Sequence, residues 1–429
     1  SDSFTYDGNA KSVSGYDFEA SNELYKETDF TFSGNDTVKG TNVGTYDMEL
    51  KSSDFTNNNQ NFSMVTFVIV DGQLAITPKD IKTGENMTVE APANVTYSGQ
   101  PQQEKPYVKD GEKTLTEGID YTLSYSSDTT NVGTVTVTVT GKGNYSGSVD
   151  VTYQILKRSV VLTSATDSKP YDGTALTSPN VTVTGDGFVD GEVTNIRATG
   201  SVTTVAEGEV TNTIVYDEGA NFKASNYSIT KDEGKLSITA LSAEDDLTIT
   251  PNNVEYTYNA ESRSAGAATA TASVAGTNVS LEYRAKGSAD TAWHSNVSEI
   301  TAINAGTVTI EVRASAANYS GYKYAEQTLT INKRDVEMTS ASASKAYDGT
   351  ALTKDWVDMG PNRAGTGFIW TDLAGDGQVH ATGSQTEFGK SDNTISYQLK
   401  DGAANNYNVM GEHLGTLEAT AQSIVPDPE

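Results

Sequence analysis

The amino-acid sequence predicts an all-β fold, built as a tandem array of small sandwich domains that form an elongated rod. Three observations predict it. The composition is rich in Thr, Ser, Val, Tyr, Asn and Gly, which favour strands and turns over helices. Apolar and polar residues alternate in several stretches, and long stretches of sequence recur along the chain. No segment shows a helical periodicity of useful length.

The alternation is clearest in residues 134–140, where threonine and valine follow one another without a break. A period of two places Val135, Val137 and Val139 on one face of a strand and the threonines on the other. The same pattern recurs over residues 308–312. One face can be buried while the other stays in water, as in antiparallel sheets.

Turn signals separate these strands. Asp-Gly pairs tolerate the positive φ angles that tight hairpins require, and they lie at Asp71-Gly72, Asp110-Gly111, Asp186-Gly187, Asp190-Gly191, Asp376-Gly377 and Asp401-Gly402. Many short strands bounded by turns, with no helices between them, indicate a sandwich or barrel and argue against a parallel α/β sheet.

Internal repetition is the strongest signal. Residues 158–177 read RSVVLTSATDSKPYDGTALT, and residues 334–353 read RDVEMTSASASKAYDGTALT. A second type of unit alternates with this one: its two copies contain NVGTVTVTVTGKGNYSG at 131–147 and NAGTVTIEVRASAANYSG at 304–321. Duplicated modules explain this pattern, because chance does not produce matches of this length.

Two short motifs mark each unit. A Tyr-(Asp/Ser/Asn)-(Gly/Ala) motif lies near its start, and an Asn-(Tyr/Phe) pair lies in its last third. The pairs are Asn61-Phe62, Asn144-Tyr145, Asn226-Tyr227, Asn318-Tyr319 and Asn406-Tyr407. Five units of about 86 residues have the usual size of immunoglobulin-like sandwiches. The predicted domains are residues 1–78, 79–157, 158–240, 241–333 and 334–429, called the first to fifth repeats below.

We interpret the Tyr-Asp-Gly motif as structural. Asp and Gly make a turn, and Tyr packs its ring while its hydroxyl finds a backbone partner. One copy in each unit is typical of a fold signature, whereas a catalytic site would not need five copies. The sequence therefore predicts a protein that is not an enzyme.

The junctions between repeats are short, and no Gly/Ser-rich spacer intervenes. At strand length each domain adds roughly 35–40 Å, so five end to end would reach on the order of 150–200 Å. The pairs Lys157-Arg158 and Lys333-Arg334 lie at two junctions. We expect them to contact acidic groups there; solvated surface charge is the alternative.

The sequence resembles the bacterial YDG and MBG repeats, where MBG denotes a mostly bacterial immunoglobulin-like group. YDGTALT at 171–177 and 347–353 carries the resemblance to the YDG branch, and NYSG at 144–147 and 318–321 to the MBG branch. The first repeat resembles the YDG type more distantly. The resemblance implies stalk modules of large, exported, adhesin-like surface proteins and carries over no catalytic residues.

The composition excludes several partners and chemistries. The chain has no cysteine, so disulfides and thiolate metal sites are excluded. A net charge of −28 argues against nucleic acid and anionic lipid. No run of about 18 apolar residues exists, so no membrane insertion is expected. We expect a monomeric fragment of a longer exported protein, extracellular and at the bacterial cell surface or cell wall.

Two groups of residues are candidate sites. The acidic cluster Glu244, Asp245 and Asp246 is either a solvated linker or a Ca²⁺ site that stiffens a joint, and no other cofactor is expected. Trp356 and Trp370 lie in the unusual stretch 354–370 and are the candidate ligand-binding residues. Exposed aromatic rings suit sugars and protein interfaces; core or interdomain packing is the alternative.

We expect the three histidines to be surface or loop residues. His294, His380 and His413 share no short spacing and fall in two different repeats. A zinc site or a catalytic triad would need partners that one sandwich does not obviously supply.

Three functions remain open. The first is a structural stalk segment of a cell-surface adhesin, which the close similarity of the repeats favours. The second is direct binding of a host glycan or surface protein, which the tryptophans of the fifth repeat favour. The third is an accessory region of a larger exported enzyme.

Overall fold

The computed structural model describes residues 1–359 and 365–424. Strands hold 48% of the residues and helices 6%, which confirms the predicted all-β class. One α-helix of four residues, α1, spans Ala243–Asp246. Short 3₁₀ turns span Glu27–Asp29, Ser52–Asp54, Val205–Glu207, Ala224–Asn226, Val297–Glu299, Trp370–Asp372 and Ala403–Asn406.

The strands are short in the first repeat and reach eleven residues in the fourth. Those up to residue 156 are β1 Asp2–Thr5, β2 Lys11–Ser14, β3 Phe30–Phe32, β4 Thr37–Gly40, β5 Gly44–Asp47, β6 Phe55–Asn57, β7 Gln73–Thr77, β8 Lys79–Asp80, β9 Met87–Glu90, β10 Val95–Thr96, β11 Tyr107–Asp110, β12 Lys113–Thr114, β13 Tyr121–Tyr125, β14 Gly133–Gly141, β15 Tyr145–Ser146 and β16 Ser148–Leu156.

Those of the third repeat are β17 Arg158–Ser164, β18 Asp167–Pro170, β19 Leu176–Thr177, β20 Val181–Gly185, β21 Val193–Ala198, β22 Ser201–Val202, β23 Val210–Thr211, β24 Ile214–Glu218, β25 Tyr227–Asp232 and β26 Lys235–Thr239.

Those that follow are β27 Leu241–Ser242, β28 Leu247–Thr250, β29 Val254–Thr257, β30 Arg263–Ser264, β31 Thr269–Ala272, β32 Val279–Ala285, β33 Thr301–Ala302, β34 Gly306–Ala316, β35 Tyr319–Ser320, β36 Lys323–Asn332, β37 Arg334–Ser340, β38 Ala343–Ala346, β39 Val357–Asp358, β40 His380–Ala381, β41 Gly389–Asn393, β42 Ile395–Ser396, β43 Tyr407–His413 and β44 Gly415–Thr420.

The chain forms two compact units. Unit 1 comprises Ser1–Ala165, Ser178–Thr199 and Asn212–Gly234, and unit 2 comprises Thr166–Thr177, Gly200–Thr211 and the described residues from Lys235 onward. The sheets of unit 1 have the strand orders β1-β7-β5, β2-β4, β3-β6, β12-β11-β9, β10-β16-β14-β13, β15-β8, β20-β17-β25 and β21-β24.

The sheets of unit 2 repeat the same arrangements. Their strand orders are β18-β26-β23, β19-β22, β27-β35, β28-β31, β29-β36-β34-β32, β30-β33, β39-β37-β43, β38-β44-β41 and β40-β42. The four-stranded sheets of the two units have the same architecture, with one parallel edge pair and a long antiparallel hairpin. The tandem array predicted from the repeats is therefore present in the pairing of the strands.

Parallel pairs join the early and late strands of every repeat. The strand before each tyrosine motif pairs in parallel with the closing strand, as β1 with β7, β10 with β16, β18 with β26, β29 with β36, and β38 with β44. The strand after each Asn-Tyr pair adds a second parallel pair, as β8 with β15, β17 with β25, β27 with β35, and β37 with β43. The early part of a repeat is thus bonded directly to its end.

The predicted alternation sets the core. Val135, Val137 and Val139 are at most 1% exposed, as are Ile310 and Val312. Strand β14 is long enough to contribute to two hydrophobic clusters. Val135 and Val137 pack in one cluster, and Val139 packs in the other. Each large cluster of unit 1 combines side chains from two successive repeats. Burial therefore stabilises neighbouring repeats together.

Candidate functional site: tyrosine contacts between successive repeats

Successive repeats meet through pairs of tyrosines, called here the tyrosine joints. In each joint the tyrosine of the Tyr-(Asp/Ser/Asn)-(Gly/Ala) motif packs edge-to-face on the tyrosine of the next repeat's Asn-Tyr pair. Ring centroids are 5.5, 5.6, 6.2 and 5.5 Å apart in the pairs Tyr6–Tyr145, Tyr97–Tyr227, Tyr171–Tyr319 and Tyr258–Tyr407. Such edge contacts are favourable beyond the area they bury. The same kind of tyrosine contact therefore occurs between each repeat and the next.

A shared carboxylate closes two of the joints. The hydroxyls of Tyr97 and Tyr227 donate to the two oxygens of Glu192, at 2.6 and 2.7 Å. In another joint, Tyr258 and Tyr407 both donate to Oδ2 of Asp372 at 2.7 Å. Hydrogen bonds to an ionised acceptor are about twice as strong as neutral ones, so each carboxylate bonds both repeats at once.

The other two joints vary this arrangement. Tyr145 donates to Oδ2 of Asp110 at 3.1 Å, and Lys79 pairs with the other oxygen at 2.6 Å. Lys79 is itself buried, so the ion pair compensates both charges. In the third joint the hydroxyl of Tyr319 accepts instead from the backbone N–H of Val274 at 3.2 Å.

Burial keeps these hydroxyls protonated. Desolvation, followed by the hydrogen bond to Asp372, raises the pKa of Tyr258 to about 12. Desolvation also raises the pKa of Tyr227 and that of Tyr407 well above the ordinary tyrosine range. All three hydroxyls therefore remain donors over the physiological pH range.

The asparagine of each Asn-Tyr pair makes a second contact across the joint. Its Oδ1 accepts a backbone N–H of the preceding repeat at 2.7–3.0 Å, from Val43 to Asn144, Val132 to Asn226, Val205 to Asn318, and Ala305 to Asn406. In three joints its Nδ2 donates to a second asparagine, from Asn144 to Asn42, Asn226 to Asn131, and Asn406 to Asn304. An ionised aspartate in the same place could accept the backbone N–H but could not donate to the second asparagine.

The junction arginines bind carbonyl oxygens. Arg158 donates to the backbone oxygens of Asp186, Gly187 and Tyr97 at 2.5, 2.7 and 3.3 Å. Arg334 makes the equivalent contacts, with the backbone oxygens of Thr366 and Gly367 in the fifth repeat and of Tyr258 in the fourth. The expectation that these residues contact acidic side chains is wrong for the arginines, because the planar guanidinium fits carbonyls that the adjacent turn presents.

The Tyr-Asp-Gly motif makes a turn, as predicted. Asp172 accepts from the backbone N–H of Thr174 at 2.8 Å and from Lys169 at 2.9 Å, and Gly173 has a φ of +81°. The hydrogen bond from Lys169 is the first cause that lowers the pKa of Asp172 to about 2. The tyrosine hydroxyls differ from the prediction: in Tyr97 and Tyr258 they donate to carboxylates instead of backbone groups.

The predicted ligand-binding tryptophans are on the surface. Trp356 is 54% and Trp370 60% exposed. Trp356 precedes β39 and Trp370 begins a 3₁₀ turn. Residues 360–364 of the stretch between them lie outside the described residues, and the structure gives no ring contact for either indole among those it describes.

The predicted acidic cluster lies on α1. Glu244 pairs with Lys323 at 2.9 Å, and Lys323 also donates to the Glu244 carbonyl at 2.6 Å. Within residues 1–359 and 365–424, no group of three His, Asp or Glu side chains is placed to hold a metal ion. The Ca²⁺ hypothesis for Glu244, Asp245 and Asp246 stays a prediction.

Sequence reasoning did not identify the partners of the joints. Glu192 and Asp372 had a signal, because each ends a Gly-Phe-x-x-x-(Glu/Asp) sequence, at 187–192 and 367–372. The sequence does not show which tyrosines they contact. The asparagines that accept from the Asn-Tyr pairs also share a sequence motif. Asn-(Val/Ala)-Gly recurs at 42–44, 131–133 and 304–306, each time at the start of a strand. Its recurrence with the Asn-Tyr pairs could have indicated a contact between them.

The described residues contain no helix that is long and apolar enough to cross a membrane.

Known structures share a general likeness with the chain at very low identity. A protocadherin gammaB7 EC3-6 cis-dimer structure is 11% identical, with a TM-score of 0.25, and the match covers 65% of this chain and 81% of that one. Drosophila N-cadherin EC1-4 is 9% identical, with a TM-score of 0.19 and coverage of 76% and 100%. The N-terminal four Ig domains of Dscam1 isoform 4.44 are 10% identical, with a TM-score of 0.17 and coverage of 79% and 100%.

A family model gives the more direct result. No curated protein matches the chain. The model of the MBG domain matches residues 1–78, the part of the chain whose tyrosine motif begins the first joint. This match supports the resemblance to YDG/MBG-type repeats that the sequence motifs indicate, and it does so over residues 1–78.

Proposed function

We propose that this chain is a non-catalytic, load-bearing stalk segment of a bacterial cell-surface adhesin. The observation that carries the proposal is the tyrosine joint, which recurs between every pair of successive repeats. A contact that is repeated with the same residue types serves the array as a whole, since binding sites tend to differ between copies. The absence of cysteine and the acidic surface suit an exported chain.

The strand pairing supports resistance to tension. In the fifth repeat β37 pairs in parallel with β43, and β38 with β44. When the two ends of a repeat are pulled apart, an early and a late strand in parallel slide along each other. The hydrogen bonds between them are then loaded together instead of one at a time. A stalk that transmits force needs this arrangement.

Single-molecule stretching of the full chain between its two ends tests the proposal. We expect discrete unfolding steps, because each loaded parallel pair must break as a group. The native chain has no cysteine, so the variant Ser344→Cys/Glu418→Cys places one disulfide between register partners of β38 and β44. Oxidation should remove the step of the fifth repeat and shorten the full extension by about 260 Å, at ~3.5 Å per residue.

The reduced variant is the matched control and should behave as the native chain does. Smooth extension at low force, without steps, would contradict a load-bearing role. An oxidised variant with an unchanged number of steps would show that the load does not pass through this strand pair.

Ligand recognition by the fifth repeat is the second candidate. Trp356 and Trp370 are both more than half exposed, and flat aromatic faces suit sugar rings or a protein partner. A panel of host glycans and cell-surface proteins, probed with the native chain, Trp356→Ala and Trp370→Ala, tests it. Binding that both variants lose would favour this function, and equal binding by all three chains would remove it.

A further inference from the structure

The second and fourth repeats are copies of one type, but they differ in one connection. In the second repeat five residues, 126–130, lead from β13 to the Asn-Val-Gly motif, whereas eighteen residues, 286–303, lead from β32 to the Asn-Ala-Gly motif of the fourth. We call residues 286–303 the long connection. It contains Trp293, and the second repeat has no tryptophan. The fourth repeat therefore carries a segment that the shared fold does not require.

The long connection is fixed against the sheet of the fourth repeat. Tyr283 of β32 and His294 exchange two backbone hydrogen bonds, at 2.8 and 2.9 Å. The two nitrogens of the His294 ring lie 2.8 Å from Glu299 and 3.0 Å from Asp290, which also belong to the long connection. These contacts hold Trp293 beside β32, so its position is defined before a ligand is bound.

Three aromatic rings lie side by side on the outer surface of this sheet. The ring centroid of Tyr324, in β36, is 6.3 Å from that of Trp293 and 6.2 Å from that of Tyr322. Tyr324 is 55% and Tyr322 39% exposed, whereas Ile310 and Val312 on the opposite face of the sheet are buried. We call Trp293, Tyr322 and Tyr324 the aromatic face. An exposed apolar patch with polar residues around it is typical of an interaction site.

The charged side chains around the aromatic face neutralise one another. Three basic groups are each paired with one carboxylate, at 2.7, 2.7 and 2.5 Å: Arg284 with Glu311, Arg313 with Glu282, and Lys286 with Glu326. In a chain with a net charge of −28, these pairs make a locally balanced surface. Such a surface favours neither a cationic nor an anionic ligand.

The second repeat has small hydroxyl side chains where the fourth has these larger groups. The strand registers place Arg284, Glu311, Arg313 and Tyr324 at the positions of Ser124, Thr138, Thr140 and Ser148. The inward positions keep their apolar character, since Val137 and Val139 correspond to Ile310 and Val312. Both repeats also keep the tyrosine joint. The two copies thus differ on a face that the fold does not constrain, which indicates a role specific to the fourth repeat.

A cavity of about 460 Å³ adjoins the aromatic face. Lys286 belongs both to its lining and to the charged pairs, which makes the two features neighbours. Four further lining residues carry hydroxyl groups: Ser288, Thr301, Thr307 and Thr309. Pockets for small ligands have volumes of about 300–1,000 Å³, so the cavity has room for part of a ligand that also crosses the aromatic face.

We propose that the aromatic face and this cavity bind a neutral oligosaccharide. Pyranose rings carry C–H groups on their faces, and the aromatic rings pack against these groups and release water from both surfaces. Sugar hydroxyls need partners that donate and partners that accept, and the guanidinium, carboxylate and hydroxyl groups of this surface supply both. The site is separate from Trp356 and Trp370 of the fifth repeat, and it does not depend on the stalk function.

Trp293 itself reports binding. The variant Trp356→Phe/Trp370→Phe leaves Trp293 as the only tryptophan of the full chain, so its fluorescence follows this site and not the fifth repeat. The neutral probes are cellohexaose, maltohexaose, mannohexaose and hexa-N-acetylchitohexaose, and hexagalacturonic acid is the anionic one. We expect a saturable change with at least one neutral probe, at one sugar per chain. Hexagalacturonic acid should bind at least about 10-fold more weakly than that probe, because its carboxylates lose water without gaining a free cationic partner.

Tyr324→Ser tests the aromatic face while keeping the fold. The second repeat has Ser148 at the same register position, so the sheet accepts serine there. We expect the affinity for the best neutral probe to fall at least about 10-fold, because the central ring contact is lost. Tyr107→Ser removes an exposed tyrosine of the second repeat; it is the matched control and should leave the affinity unchanged. Hydrogen exchange in β34 checks that each variant folds.

Three results would overturn the proposal: no saturation by any neutral probe at millimolar concentration, an affinity that Tyr324→Ser leaves unchanged, or tighter binding of hexagalacturonic acid. Sedimentation distinguishes a protein partner. Self-association of the chain that Tyr324→Ser abolishes, with no sugar bound, would assign the aromatic face to a contact between copies of the chain instead.

Discussion

Tyr97 and Tyr227 donate to opposite oxygens of one buried carboxylate, at 2.6 and 2.7 Å from Glu192. Tyr97 belongs to the second repeat and Tyr227 to the third, so the same acidic group bonds both. Glu192 is only 5% exposed, and a buried charge is tolerated where hydrogen bonds replace its water. Neighbouring repeats therefore depend on each other for stability, as in other linear arrays.

Removal of this carboxylate should loosen both repeats. We expect Glu192→Ala to lower the free energy of unfolding by about 2–4 kcal/mol, because two buried hydroxyls lose a charged acceptor. Hydrogen exchange should quicken on both sides of the joint, in β16 and in β25. Glu85→Ala is the control in the same unit, since Glu85 is exposed. Loss of protection in the third repeat alone would mean that the joint does not couple the repeats.

The asparagine contact can be tested with adjacent residues. Asn406 is 2% exposed, accepts from the N–H of Ala305 at 2.7 Å, and donates to Asn304 at 3.1 Å. Asn406→Leu leaves both partners without a bond, at a cost of about 1–3 kcal/mol. Asn405→Leu, at the exposed neighbouring position, should cost no more than about 0.5 kcal/mol.

Exchange of the Ala305 amide provides the direct readout. It should quicken in Asn406→Leu and stay unchanged in Asn405→Leu. Equal stability of the two variants would show that the amide contact contributes nothing to the joint.

Much of the fold follows from local patterns. Val135, Val137 and Val139 are buried as their alternation predicts, because a strand has a fixed period of two. The turn at Tyr171-Asp172-Gly173 also follows from residue chemistry alone. Each of these features depends on a few consecutive residues, which is why the sequence indicates them.

The joints depend on contacts over much longer separations. Tyr258 and Asp372 are 114 residues apart, and no periodicity links a tyrosine to a carboxylate at that distance. The same reason explains the arginines: from the sequence, an acidic partner is the obvious choice for Arg158, whereas the turn at Asp186-Gly187 offers carbonyls. Trp356 and Trp370 are exposed, and their role in ligand binding stays a prediction.

His380 should make the fifth repeat less stable at alkaline pH. Its Nε2 lies 2.5 Å from Oδ2 of Asp376, and its Nδ1 lies 3.1 Å from Oδ2 of Asp355. The hydrogen bond to Asp376, and then that to Asp355, raises the pKa of His380. A raised pKa in the folded state stabilises the fold fully below the unfolded value, near 6.5, and the effect is lost as pH rises through the folded value.

The stability of the fifth repeat should therefore decrease as the pH is raised from 6 to 9. Hydrogen exchange in this repeat, measured across that range, follows the decrease. His380→Gln should show a smaller fall, because it cannot titrate. His413→Gln, which alters a histidine with one carboxylate partner, serves as the control. A native chain and a His380→Gln variant with the same pH dependence would contradict the assignment.

Trp293 should contribute more to stability than the two exposed tryptophans. The centroid of its ring lies 4.5 Å from the guanidinium group of Arg284 and 4.4 Å from that of Arg313. Both arginines are held by ion pairs, with Glu311 and Glu282. We expect Trp293→Leu to cost about 1–2 kcal/mol, since each cation–π contact at a partly exposed site contributes ~0.5–1 kcal/mol.

Trp356→Leu is the matched control, because Trp356 is 54% exposed; it should change the free energy of unfolding by no more than about 0.5 kcal/mol. Denaturant unfolding of both variants, followed by hydrogen exchange in β32 and β34, gives the comparison. A larger loss in Trp356→Leu would mean that the indole of Trp356 packs against the fold, and it would also weaken the case for Trp356 as a ligand-binding residue.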